Sequence, residues 1–100
     1  MLAKGFYQAV VESVWPKDGA YGEYWEWRFK IDGERYPLKA FTSGNLKNEK
    51  TRTFVEAVLN RSVDSTEELS PSYFEGERCT VEVGTVTKNG REYNTIEKVI

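Results

Sequence analysis

Trp25, Trp27, Phe29 and Ile31 alternate with Tyr24, Glu26, Arg28 and Lys30, and this unbroken period of two constrains the chain more than any other feature. Successive side chains of a strand point to opposite faces. The segment can therefore bury its apolar half only as a β-strand with one face on a core. Asp32-Gly33 follows at once, a dipeptide suited to a two-residue type I′ hairpin turn. A third strand is expected from about Glu34 to Thr42. Such a turn would set Phe29 opposite Tyr36, Trp27 opposite Leu38, Trp25 opposite Ala40 and Tyr24 opposite Phe41.

Similar reasoning places the other elements. Phe6 to Trp15 reads as the first strand, with Tyr7, Ala9 and Val11 on one face. Val14 breaks that parity, which predicts a bulge near Glu12-Ser13. Pro16 is expected to end the strand, leaving Lys17 to Gly22 as a loop. Phe54, Val55, Val58 and Leu59 make an apolar stripe at helical spacing within Lys50 to Leu59. Asn60 to Ser72 is polar, with Leu69 as an anchor and Pro71 as a turn marker. Cys79 to Thr87 and Arg91 to Val99 read as a hairpin joined at Asn89-Gly90, pairing Val86 with Tyr93 and Val83 with Ile96. The order β-β-β-α-β-β in one domain, residues 1–100, predicts an all-β fold with one helix: a closed five-stranded Greek-key barrel of the OB type.

Composition narrows the chemistry. The chain has no histidine and one cysteine, Cys79, so it lacks the commonest general base and cannot form an internal disulfide. No spacing matches a glycine-rich phosphate loop or a metal cluster, so neither catalysis nor a cofactor is expected. Asp64, Glu67 and Glu68 read as acids of a solvated loop. No apolar run approaches the roughly 20 residues of a membrane span. The segment from Met1 to Gly5 has no signal-like apolar core, so a cytoplasmic location is expected. The net charge of −2 argues against a sequence-blind grip on duplex DNA.

A local surface of opposite character is nevertheless predicted. The expected register sends Trp25, Trp27, Phe29, Tyr36, Leu38 and Ala40 to the core. Tyr24, Glu26, Arg28, Lys30, Arg35, Lys39 and Phe41 go to the other face, which is basic with an aromatic pair. Single-stranded nucleic acid is bound by rings that stack on bases and cations that track phosphates. Tyr24, Phe41 and Tyr93 are thus candidate stacking residues, and Arg28, Lys30, Lys39, Lys88 and Arg91 candidate phosphate contacts. Glu26 opposite Lys39 reads as a surface ion pair. The alternative is an adaptor that docks a protein partner, or a second copy of the chain, through the same rings or a free strand edge. Oligosaccharide binding, with Trp15 as the exposed ring, is a third reading.

Several segments together resemble small OB-fold proteins of bacteriophages and prophages, of the single-stranded-DNA-binding type. These are Gly5-Phe6-Tyr7-Gln8-Ala9, Tyr21 through Phe29, Phe41-Thr42-Ser43, Phe74-Glu75-Gly76, Cys79 through Val83, and Asn94-Thr95-Ile96 before Val99. The resemblance implies single-stranded DNA as ligand and a replication or recombination setting.

Overall fold

The computed structural model describes residues 1–100. It is mostly β with one helix: β1 (Gly5–Gly19), β2 (Gly22–Ile31), β3 (Leu38–Ser43), α1 (Glu49–Leu59), a single 3₁₀ turn (Pro71–Phe74), β4 (Arg78–Lys88) and β5 (Arg91–Val99). The strands form one antiparallel sheet in the order β3-β2-β1-β4-β5. No helix is long and apolar enough to cross a membrane.

That open order corrects the expected closed Greek-key barrel. β3 and β5 come near each other, yet no hydrogen-bonded ladder joins them, so both remain edges. β3 begins at Leu38 rather than Glu34 and is six residues long, which leaves little edge for β5 to pair with. α1 packs against β3, β4 and β5 instead.

β3 is short because of the turn before it. Glu34 N–H donates to Ile31 O at 3.0 Å, closing a turn through Asp32-Gly33. Gly33 has φ of 83°, whereas Asp32 is not among the residues with positive φ. That is the type II pattern, not type I′. A type II turn splays the flanking strands where a type I′ turn keeps them paired. Pairing therefore resumes only past Pro37, with Phe29 opposite Leu38, Trp27 opposite Ala40 and Glu26 opposite Phe41. Every β2 residue meets a partner two positions later than expected. Because the slip is even, no β3 side chain changes face. Tyr36, expected in the core, lies in the loop and is 72% exposed.

The Asn89-Gly90 turn behaves as expected. Both residues have positive φ, 52° and 76°, and Lys88 pairs with Arg91, Val86 with Tyr93 and Val83 with Ile96. The bulge in β1 falls between Val11 and Ser13, also as expected. Pro16 does not end β1, which stays paired with β2 through Gly19, with Pro16 opposite Trp25. β4 leaves β1 at Val10, so this half of β1 is an edge, where proline is tolerated.

The core sits inside the curl of the sheet. Trp27 is its centre, with Phe29 and Phe74 stacked on it at 5.8 and 5.3 Å and Phe54 of α1 edge-on at 5.4 Å. The Trp27 indole N–H donates to Thr42 Oγ1 at 2.8 Å, which satisfies the one polar atom of that buried ring. α1 starts where the Asn48 side chain accepts from Thr51 N–H, and ends at Asn60 in the left-handed conformation. Its buried stripe of Thr51, Phe54, Val55 and Val58 covers the aromatic cluster.

Candidate nucleic-acid interface

The outer face of β1, β2 and β3 is organised in rows. Lys17, Tyr24 and Ser43 lie opposite one another across the three strands. Trp15, Glu26 and Phe41 form the next row, and Ser13, Arg28 and Lys39 the third. Rows two residues apart lie about 6.6 Å from each other along the strands, and neighbouring strands about 4.8 Å apart. Three rings and three cations thus interleave around one carboxylate.

That carboxylate is the hub. Glu26 is only 6% exposed, although it stands on the outer face. Arg28 Nε donates to Glu26 Oε2 at 3.0 Å, and Lys17 Nζ lies 4.0 Å from Oε1. Burial alone would raise the Glu26 pKa. The Arg28 hydrogen bond and the charges of Lys39, Lys17 and Arg28 outweigh it and hold the carboxyl below its ordinary value. Glu26 is therefore ionised at neutral pH. Its direct partner is Arg28, not Lys39, in place of the ion pair expected from sequence.

The rings differ in how free they are. Trp15 is 44% exposed, and the Arg28 guanidinium lies 4.1 Å from its ring centre, with Lys17 Nζ at 5.7 Å. A guanidinium at that distance is a cation–π contact that covers part of the ring. Tyr24 is half-buried: a Cβ at Gly19 would come within 3.0 Å of its ring, so the ring lies against the β1–β2 turn. Phe41 is 49% exposed, with its ring centre 6.2 Å from that of Tyr24 at a tilt of 55°.

The structure thus gathers Tyr24, Arg28, Lys39 and Phe41 in one cluster. Lys30 points to the same face, opposite Val10 and further along β2. Arg35 lies in the loop before β3, its guanidinium 5.6 Å from the Tyr36 ring, rather than on the basic face. Lys88, Arg91 and Tyr93 occupy the β4–β5 hairpin, which extends past the start of β1 at the Gly5–Val83 pair. Tyr24 stands at the opposite end of β1, beside Lys17. All three hairpin residues are exposed.

Trp15 and Lys17 are members of the cluster that sequence reasoning missed. The signal was present: once a bulge is placed at Glu12, the parity sends Ser13, Trp15 and Lys17 outward. The expected stop at Pro16 hid Lys17, and Trp15 was read as an exposed ring on its own, apart from the β2–β3 face. The loop acids serve the loop itself. Glu67 accepts from Arg61 at 3.1 and 3.2 Å and from Asp64 N–H at 2.8 Å, and Asp64 accepts from Thr66 N–H at 2.9 Å.

Compared with known proteins, the chain matches no family model and no curated sequence.

Proposed function

We propose that the chain is a non-catalytic, cytoplasmic binding module that takes single-stranded DNA across the outer face of β1, β2 and β3, in a phage or mobile-element replication or recombination setting. The observation that carries this reading is the interleaving of Trp15, Tyr24 and Phe41 with Lys17, Arg28 and Lys39, in a chain whose net charge is −2. Stacking on exposed rings holds bases irrespective of sequence, and neighbouring cations neutralise the backbone. The architecture supports an open OB-type module, with β1 shared between a three-stranded meander and the β4–β5 hairpin and α1 between β3 and β4. Lys30 would extend the phosphate path, and Lys88, Arg91 and Tyr93 would meet a strand long enough to reach the hairpin. Titration of labelled oligo-dT at low salt tests the reading. Binding that weakens with added salt is expected, and no binding at high micromolar protein would refute it.

The unpaired edges of β3 and β5 favour one second reading, a protein partner or a second copy of the chain added as a further strand. Light scattering during size exclusion separates the two, since a stable dimer that loses its oligo-dT binding would support docking.

A further inference from the structure

A second feature lies at the end of the molecule where β2 begins. The β1–β2 turn, the segment after β3 and the polar stretch before the 3₁₀ turn enclose a cleft of about 770 Å³. Glu23, Glu67 and Glu68 line it, with no lysine or arginine among the lining residues. Arg61 neutralises Glu67, while Glu23 and Glu68 make no ion pair. The cleft is therefore acidic, the reverse of the basic face. Tyr21, fully exposed, and Tyr73, largely exposed, stand on two different segments of its rim. The wall at Glu23 is preformed, because Gly44 N–H donates to Glu23 O at 2.9 Å.

Trp25 supplies an independent observation. It is 3% exposed and forms part of the cleft's lining, and its indole N–H is a buried side-chain donor with no acceptor. Trp27, two residues on, has its N–H satisfied by Thr42. A buried donor without a partner is costly, and because Trp25 joins the lining of the cleft while its Nε1 is closed to solvent, an acceptor brought into the cleft relieves that cost once the ring edge opens toward it.

We infer that this cleft binds an extended basic peptide segment of a protein partner, a lysine or arginine side chain passing between Tyr21 and Tyr73 to Glu23 and Glu68 while a peptide carbonyl accepts from Trp25 Nε1. Two demands select this occupant. The unpaired carboxylates call for positive charge, and tyrosine faces hold a cationic stem well. The indole N–H calls for an acceptor, which a free polyamine lacks. A phosphate backbone is repelled by the same carboxylates. The inference does not depend on the nucleic-acid reading, because the two surfaces share none of the residues named for either.

The test uses a blocked tetralysine peptide, with spermine as a polycation lacking carbonyls and tetraglutamate as the charge-reversed control. Binding is followed in a nitrogen–proton correlation spectrum of the labelled protein, where the Trp25 indole gives its own signal. Tetralysine is expected to move the Trp25 indole together with the amides of Glu23, Gly44 and Glu68, and to leave the Trp15 indole in place. Spermine should bind more weakly and leave the Trp25 indole unmoved. The exposed pair Glu23→Gln/Glu68→Gln should weaken tetralysine about fivefold, the size two exposed ion pairs carry, with unchanged melting. Trp25→Phe should weaken tetralysine but not spermine, and oligo-dT binding, if present, should survive in both variants. The inference is overturned if tetralysine causes no shift at millimolar concentration, or if spermine matches it in affinity and in the Trp25 shift. It also fails if tetraglutamate binds as well.

Discussion

Replacing Glu26 with glutamine should make the protein less stable and its grip on single-stranded DNA tighter. The variant keeps an acceptor beside Arg28 Nε but removes the charge that Lys17, Arg28 and Lys39 surround. A hydrogen bond to a charged group contributes about 1.5–3 kcal/mol. Arg28 is one-quarter exposed and can turn to water, so a loss of about 1 kcal/mol is expected, or about 4–8 °C in Tm for a chain of this size. Affinity moves the other way. A phosphate about 7 Å from the carboxylate is repelled by about 0.6–2.4 kcal/mol at effective dielectric constants of about 80 to 20. Screening at about 0.1 M salt roughly halves that. Oligo-dT should therefore bind about two- to eightfold tighter. With Arg28 neutralised by Glu26, Lys17 and Lys39 give a wild-type log–log salt slope of about −1.4, and the variant, with Arg28 free to meet a third phosphate, should steepen to about −2.1. pH supplies a further check. A lowered folded pKa contributes stability that is complete above the usual carboxylate range and is lost as pH falls through and below it. The stability gap between wild type and variant should narrow under those acidic conditions. Fluorescence anisotropy gives affinity and slope, and thermal melts give stability. A variant that melts lower but binds oligo-dT with unchanged affinity and slope would refute the placement of the backbone across this face.

Phe41→Ala removes a half-exposed ring, so it should weaken oligo-dT by about 1–3 kcal/mol with little effect on melting; equal affinity would take Phe41 out of the site. Lys88→Ala/Arg91→Ala should weaken an oligomer of about 16 nucleotides and spare one of about 4, because the hairpin lies at the far end of β1 from Tyr24; an equal effect on both lengths would contradict that geometry. Thr42→Val leaves the Trp27 N–H buried without an acceptor and should cost about 1–3 kcal/mol by chemical denaturation; a cost near zero would mean the bond contributes nothing. Burial pushes the Cys79 thiol up to about 11, against a smaller opposing effect of Arg78, so it should resist a disulfide reagent at pH below that value until denaturant is added. Rapid native labelling would show that β4 opens.

What the sequence made legible depended on turn chemistry. Asn89-Gly90 and Asp32-Gly33 are both favoured hairpin dipeptides, yet only the first folds as one. Asn89 adopts positive φ and its strands continue in register on both sides. Asp32 does not, and other bonds explain what holds it: its N–H donates to Gln8 O at 3.0 Å, and its carboxylate accepts from Arg78 at 2.6 Å. These bonds come from β1 and β4, far away in sequence, and no local reading of residues 31–34 reveals them. The faces were still assigned correctly because a slip of two preserves parity. The core stripe and the set Tyr24, Arg28, Lys39 and Phe41 survived, while individual partners did not. Arg35 and Tyr36 were lost because they belong to the loop that the slip created.

Glu26 shows why a face can be predicted while its electrostatics cannot. Alternation puts Glu26 outside, and an outward acid in a single-strand view is an ordinary solvated charge. Its burial comes from the strands on either side, Trp15 on β1 and Phe41 on β3, and from Arg28 leaning across the Trp15 ring. That packing requires β1 to stay paired with β2 beyond its bulge as far as Trp15, and the addition of Lys17 requires it to continue past Pro16 on the edge that β4 leaves free beyond Val10. The cations of the face are thus held in place before any ligand arrives, one hydrogen-bonded to the carboxylate and others drawn by its charge. An anchoring carboxylate that orients cations also subtracts from the attraction they exert on phosphate. On the proposed reading the balance favours weak, readily reversed binding of phosphate at this surface, and the Glu26→Gln variant moves that balance in one direction only.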